Sequence, residues 1–271
     1  MSTQADKAQR FQALHARSGA FVIPNPWDAG SAKILERLGY EALASTSAGY
    51  AFSLGRLDGQ VGRDEMIEHC RQLCAATSLP VSADLENGYA EDPQAAAQTL
   101  VLGAEAGLVG GSIEDYSGDP ARPIYDFALA VERVQAAVEA VAKLPFKFMF
   151  AARAENLLHG VNDLDDTIRR LQAFEAVGAD VLYAPGLKTL EEVRLVCSAL
   201  GKPVNINMSG LPQATVAQIG AAGGRRISTG GALARAALGA LLRAGREMQD
   251  SGSFAWAEGA ASGAELKKLL G

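Results

Sequence analysis

Eight times along the chain, a short apolar run is followed within a few residues by a stretch of helical periodicity, and nothing else in the sequence restricts the fold as strongly. The runs are Ala20–Ile23, Ala42–Ser45, Val81–Leu85, Val109–Glu114, Phe146–Arg153, Val181–Ala184, Val204–Asn207 and Arg226–Thr229. The intervening helices read as Asp28–Leu38, Arg63–Ala76, Asp92–Glu105, Asp126–Lys143, Leu164–Val177, Thr189–Leu200, Pro212–Ala222 and Ala232–Met248. Strands that read as continuous apolar runs are buried on both faces, as in parallel sheets covered by helices. Eight such units need ~250 residues when they close into a (β/α)₈ barrel, and the chain has 271. The expectation is therefore an α/β fold, a single TIM-type barrel domain over 1–271. A polar amphipathic helix at Gln4–Arg17 precedes it, and a short helix within Phe254–Leu270, at a subunit contact, follows it. A doubly wound sheet is the alternative, but no Gly-x-Gly-x-x-Gly follows the first strand.

Chemistry in such a barrel sits at the C-terminal ends of the strands. Strand two delivers Thr46 and Ser47 there, strand three Asp84 and Glu86, and strand four Glu114 and Asp115. Strand five adds Arg153 and Glu155, and strand seven Asn205 and Asn207. In Pro80–Tyr89, residues two apart on an extended strand share a face, so Asp84 and Glu86 are expected to look at one point. Hard cations such as Mg²⁺ take oxygen ligands and keep several waters, which suits this set. Arg153 is suited to grip a substrate carboxylate in a bidentate fashion, with the hydroxyls and N–H groups at Thr46 and Ser47 assisting. The plainer reading makes Glu86 a solvated loop charge, Asp84 a turn cap and Arg153 the partner of Glu114 or Glu155.

A formal net charge of −6, without a basic run, gives no reason to expect nucleic acid or an anionic membrane as a partner. Met1–Arg17 has no apolar core of a signal peptide, and nowhere do ~18 apolar residues run together. A cytoplasmic protein with a small-molecule partner is expected. Cys70, Cys74 and Cys197 fall inside helical patterns, as do His15 and His69. Only His159 follows a strand end, and the sequence offers it no partner.

These residues carry a resemblance. Ser82–Tyr89, Ile113–Asp115, Ala152–Ala154 and Leu54–Asp58 together resemble the isocitrate lyase and phosphoenolpyruvate mutase superfamily, in particular its short phosphonomutase and 2-methylisocitrate lyase-like members. The likeness runs from Trp27 to the last barrel strand. It implies Mg²⁺ (or Mn²⁺) approached directly by Asp84, with Glu86 and Glu114 holding its waters. Thr46 and Ser47 fall where the family binds a substrate carboxylate. Arg153 matches a substrate-binding Arg, Asn207 a substrate-contacting Asn, and Asp58 an acid near the reacting centre. A homo-oligomer, dimer or tetramer, is expected on the same ground.

Three departures matter. Position 86 is Asp in the family and Glu here. The family's gating loop carries Lys and Cys, whereas this chain has Asp115–Pro123, and none of its three cysteines can substitute. Ala184 stands where the mutases have a His. The resemblance thus implies a Mg²⁺-dependent carbon–carbon lyase acting on a small α-keto or α-hydroxy dicarboxylate through a stabilised enolate, in the manner of an oxaloacetate decarboxylase. Cleavage of a phosphonopyruvate-type P–C bond and a pocket without turnover are the alternatives. A Schiff-base lysine is disfavoured, since Lys188 precedes a helix start and Lys147 lies at the wrong end of its strand.

Overall fold

A computed structural model describes residues 2–271. Helix α1 (Gln4–Ala16) precedes strand β1 (Phe21–Ile23), and the alternation then runs through α2 (Ala29–Arg37), β2 (Leu43–Ala44), α3 (Ser47–Ser53), α4 (Arg63–Ala76) and β3 (Val81–Asp84). It continues with α5 (Pro93–Glu105), β4 (Gly110–Glu114), α6 (Phe127–Val141), β5 (Met149–Arg153), α7 (Leu164–Ala176) and β6 (Val181–Tyr183). The last units are α8 (Leu190–Ser198), β7 (Val204–Asn207), α9 (Val216–Ala221), β8 (Arg226–Ser228), α10 (Ala232–Ser251) and α11 (Gly263–Leu270). All eight strands are parallel, in the order β1-β8-β7-β6-β5-β4-β3-β2. The sheet curls until its ends meet, where the Ala44 N–H donates to the Pro24 carbonyl at 3.1 Å. This is the expected (β/α)₈ barrel.

Helix starts follow their caps. Asp28, Asp92, Asp163, Thr189 and Thr215 each accept a hydrogen bond from a backbone N–H of the first turn, satisfying donors that no intrahelical partner reaches. Helix α3 was not expected, because Thr46, Ser47 and Gly49 have low helix propensity. Thr46 caps it, accepting from the Gly49 N–H at 3.2 Å.

Two apolar layers hold the barrel. Leu85, Leu100, Phe150 and Phe174, fully buried, fill the space between strands and outer helices. Inside the barrel, Phe11 and Leu14 of α1 pack on Phe21, Ile23, Met149 and Val181, so α1 plugs the end where the strands begin. Gly110 makes this possible, since a Cβ there would lie 2.8 Å from the Phe11 ring. Removing the Phe11 ring would leave a cavity costing about 3–5 kcal/mol. The plug closes the barrel interior at that end, so the interior opens at the strand C-termini. Among the described residues, no helix is long and apolar enough to cross a membrane.

Candidate active site

Arg153, the last residue of β5, organises the open end of the barrel. Its Nη1 donates to Asp84 Oδ1 at 2.7 Å and its Nε to Glu155 Oε1 at 2.7 Å, while Nη2 stands 3.0 Å from Glu114 Oε2. The Tyr183 ring lies under the guanidinium, 5.0 Å from centroid to carbon. The plainer sequence reading, Arg153 as partner of Glu114 or Glu155, therefore holds for both, and Asp84 is a third partner it did not include. One N–H on each Nη remains for a ligand.

Asp84 closes β3 and is held from two sides. Its second oxygen accepts from the Ser47 hydroxyl at 2.9 Å and the Ser47 N–H at 3.3 Å, which docks the start of α3 on the end of β3. Glu86 reaches the same region by a different route from the one the sequence suggested. The strand ends at Asp84, and Glu86 is left-handed, with φ +46°, so strand alternation is not what brings the two acids together. The chain turns back through Asn87-Gly88, and the buried Arg133 pins that turn through the carbonyls of Asn87, Ala90 and Glu91. Backbone held in so sparsely populated a region for a non-glycine residue marks a functional segment more often than an idle loop.

The electrostatics are those of crowded acids. Burial, reinforced by the charges of Asp84 and Asp58, pushes the Glu86 carboxyl up to about 7. Burial also drives Glu114 well above the usual carboxylate range, against the pull of Arg153, and Glu155 and Asp84 add to the rise. Asp58, at the solvent-exposed rim between α3 and α4, is raised by its protein surroundings and by Asp84. Glu86 Oε1 is buried with no partner in hydrogen-bonding geometry, and the Tyr89 hydroxyl near it is in the same condition. Among the described residues, no three His, Cys, Asp or Glu side chains close round a point that could hold a metal directly. The donor set still fits a hard cation held largely through water, because it has an excess of carboxylate oxygens and one of them is buried and unpartnered.

A cavity of about 470 Å³ opens here, lined by every expected site residue: Thr46, Ser47, Asp58, Asp84, Glu86, Glu114, Arg153 and Asn207. Asn207 spans β7 and its neighbour, donating to the Tyr183 hydroxyl at 3.0 Å and accepting from the Ser209 N–H at 3.0 Å. Asp115 is not among the lining residues. It is bound to Arg170 at 3.1 Å and takes the Glu155 N–H at 2.8 Å, which makes it a brace behind β5.

Among the lining residues with no role assigned from sequence, Arg226, Tyr116 and His159 stand out. Arg226 opens β8 and points into the barrel below the acids. Its Nε donates to Asn205 Oδ1 at 2.8 Å, its Nη1 is buried without a partner, and burial lowers it to about 10. The other two are Tyr116 and His159, whose rings stack 3.6 Å apart and 5° from parallel. His159 is thus not partnerless. Its Nε2 also lies 3.6 Å from Glu155 Oε2, an oxygen with no hydrogen bond of its own. The one sequence signal was Glu155 four residues before His159, a spacing that meets only if the loop turns helically.

A profile of the phosphoenolpyruvate phosphomutase family matches residues 11–249. The structure of a Burkholderia cenocepacia J2315 protein named only as a lyase or mutase is 53% identical, with a TM-score of 0.95, and the match covers 98% of this chain and 95% of that one. The 2-methylisocitrate lyase of Escherichia coli K12 is 29% identical over 207 residues, 73% of this chain and 69% of the relative. An oxaloacetate decarboxylase of Paraburkholderia xenovorans LB400 is 29% identical over 217 residues, 76% of this chain and 69% of the relative. With the barrel, the acid ring and these likenesses together, the chain belongs to the phosphoenolpyruvate mutase/isocitrate lyase superfamily.

Proposed function

We propose that this protein is a divalent-metal-dependent lyase that breaks a carbon–carbon bond in a small α-keto or α-hydroxy dicarboxylate, with oxaloacetate as the simplest substrate. The observation that carries the reading is the gathering of Asp84, Glu86 and Glu114 round Arg153 at the mouth of one cavity, with a Glu86 oxygen buried and unpartnered. Asp84 would approach Mg²⁺ or Mn²⁺ directly, and Glu86 and Glu114 would hold its water shell. When bound, the cation supplies Lewis-acid stabilisation of the negative charge that develops on a keto oxygen.

The chain's own groups supply the rest. The free N–H groups of Arg153, the Thr46 and Ser47 hydroxyls and the Asn207 amide orient the substrate carboxylates and hold them against rotation, which is where most of the rate advantage of a positioned reaction comes from. Asp58, at the rim, faces the reacting centre. Decarboxylation of a β-keto acid needs little proton transfer beyond the final protonation, so it tolerates the missing Lys and Cys. The exposed Leu241, Leu242 and Phe254 near the C-terminus support a homo-oligomer.

The test is calorimetry with oxalate, with and without a chelator, beside a pyruvate assay on oxaloacetate. Metal-dependent oxalate binding and pyruvate formation are expected. Phosphate release from phosphonopyruvate with no action on oxaloacetate would move the reaction to P–C cleavage. Oxalate binding that is indifferent to chelation would remove the metal from the reading.

A further inference from the structure

Decarboxylation leaves an enolate that must gain a proton at carbon, and the loop where the resemblance would place Lys and Cys here carries Tyr116. That residue does something specific: its ring lies flat on the imidazole of His159, 3.6 Å away. Both residues line the cavity. The loop is itself ordered, with Tyr116 bridged to Ile124 and the Ser117 N–H donating to the Pro123 carbonyl at 2.8 Å. Behind the imidazole stands Glu155, whose Oε2 is buried and unpartnered 3.6 Å from Nε2, and whose other oxygen is tied to Arg153.

We propose that His159, clamped by Tyr116 and backed by Glu155, is the proton donor to the enolate carbon. The inference rests on the lyase reading above and deepens it. Of the three histidines, His15 and His69 are buried in helices and held neutral, with burial lowering them to about 3 and about 4. His159 alone lines the cavity, with its side chain 26% exposed, so it meets both ligand and solvent. An imidazole is the side chain suited to carry a proton near neutrality. The competing donors are otherwise engaged. Ser47 donates its hydroxyl proton to Asp84, burial raises the Tyr183 hydroxyl and so weakens it as an acid, and Glu86 and Glu114 face the proposed cation.

The step balances without a co-reactant. The electron pair left when CO₂ departs forms the C2=C3 bond of the enolate. That pair takes the proton of the His159 imidazolium at C3, the keto group re-forms, and the neutral imidazole regains a proton from water at the rim. Glu155 stabilises the imidazolium, and Tyr116 fixes the face from which the proton arrives.

A stereochemical experiment tests this. The Mg²⁺-loaded protein is given one enantiomer of 3-ethyl-3-methyloxaloacetate, which has no C3 hydrogen to exchange, and the 3-methyl-2-oxopentanoate formed is reduced in place by a 2-hydroxyacid dehydrogenase before it can enolise. Because the enolate has lost any handedness at C3, the proton enters on one face only if the protein delivers it. Wild type is expected to give product of one hand. His159→Asn is expected to give both hands, with turnover reduced about a hundredfold or more, as is typical of losing acid–base help (~10² to 10⁴). Tyr116→Leu should blur the handedness while His159 remains. Oxalate affinity and melting temperature of each variant report whether the pocket survives. A single-handed product from His159→Asn, a mixed product from wild type, or handedness lost instead in Asp58→Asn would each overturn the assignment. A wild type that binds no oxalate, or binds it and turns over no β-keto acid, would bring down the lyase reading and this step with it.

Discussion

Nη2 of Arg153 and Oε2 of Glu114 stand 3.0 Å apart, each on a side chain only 10% exposed. The pair is one arm of a buried cluster in which a single guanidinium holds Asp84, Glu114 and Glu155. Removing one member of a buried ionic group is expensive, because the partners lose their counter-charge without regaining water. Arg153→Met is therefore expected to destabilise the fold by about 3–5 kcal/mol, with part of the loss recovered at acid pH as the orphaned carboxyls take up protons. Urea unfolding at pH 5 and pH 8 measures it. A midpoint that does not move at either pH would show that the acids pair elsewhere.

Asp84→Ala is expected to abolish metal-dependent oxalate binding, because no neighbour replaces that carboxylate and Ser47 loses its acceptor. Cys70→Ala provides the contrast. That thiol is buried in α4 with its ionisation suppressed by burial, so its loss should lower the melting temperature and leave oxalate affinity as it was. Calorimetry and thermal melting, run in parallel, separate the two effects. Retained binding in Asp84→Ala would place the cation elsewhere.

Glu86 makes the metal-free protein sensitive to pH. Burial holds its folded-state carboxyl at about 7, above the ordinary 4.5, so between those values the folded chain holds a proton that the unfolded chain has released. Stability from this group is complete below about 4.5 and fades as pH rises through 7, by at most roughly 3 kcal/mol. Glu114 acts in the same direction. Melting temperature without metal should fall from pH 5 to pH 8, and Glu86→Gln should flatten the slope. A divalent cation should do likewise by stabilising the ionised carboxylates. The opposite slope in wild type, steepened by Glu86→Gln, would contradict the burial of this acid.

Oxaloacetate should yield pyruvate in a metal-dependent manner, while isocitrate yields little or no glyoxylate. The difference follows from the loop at Tyr116, which brings no Cys to protonate a departing succinate. Coupled assays for the two products decide it. Efficient glyoxylate release would overturn the inference drawn from this loop.

The barrel and most of its site were legible because barrel strands announce themselves twice, by unbroken apolar runs such as Val81–Ala83 and by the polar residue that follows at the mouth. Thr46, Asp84, Glu114, Arg153 and Asn207 could be placed by that rule alone. The rule stopped where the backbone left the strand. Nothing in a glutamate signals a left-handed conformation, and Glu86 adopts one because Arg133, on a helix far along the chain, holds the turn that follows it. His159 was opaque for the same reason, since its stacking partner comes from a different loop. Arg226 reads in sequence as the first residue of a strand, where an outward charge would be ordinary. In the structure it lines the cavity beside Ala44, Ser82 and Ser112.

The α1 plug has a consequence for traffic. Phe11 and Leu14 seal the end of the barrel where the strands begin, so whatever enters the chamber must leave by the way it came. Substrate, product and the water that recharges a proton carrier share one doorway, and Tyr116 and His159 stand in its frame. Departure of one molecule must then precede arrival of the next, and a substitution that stiffens or props that frame alters exchange and chemistry together.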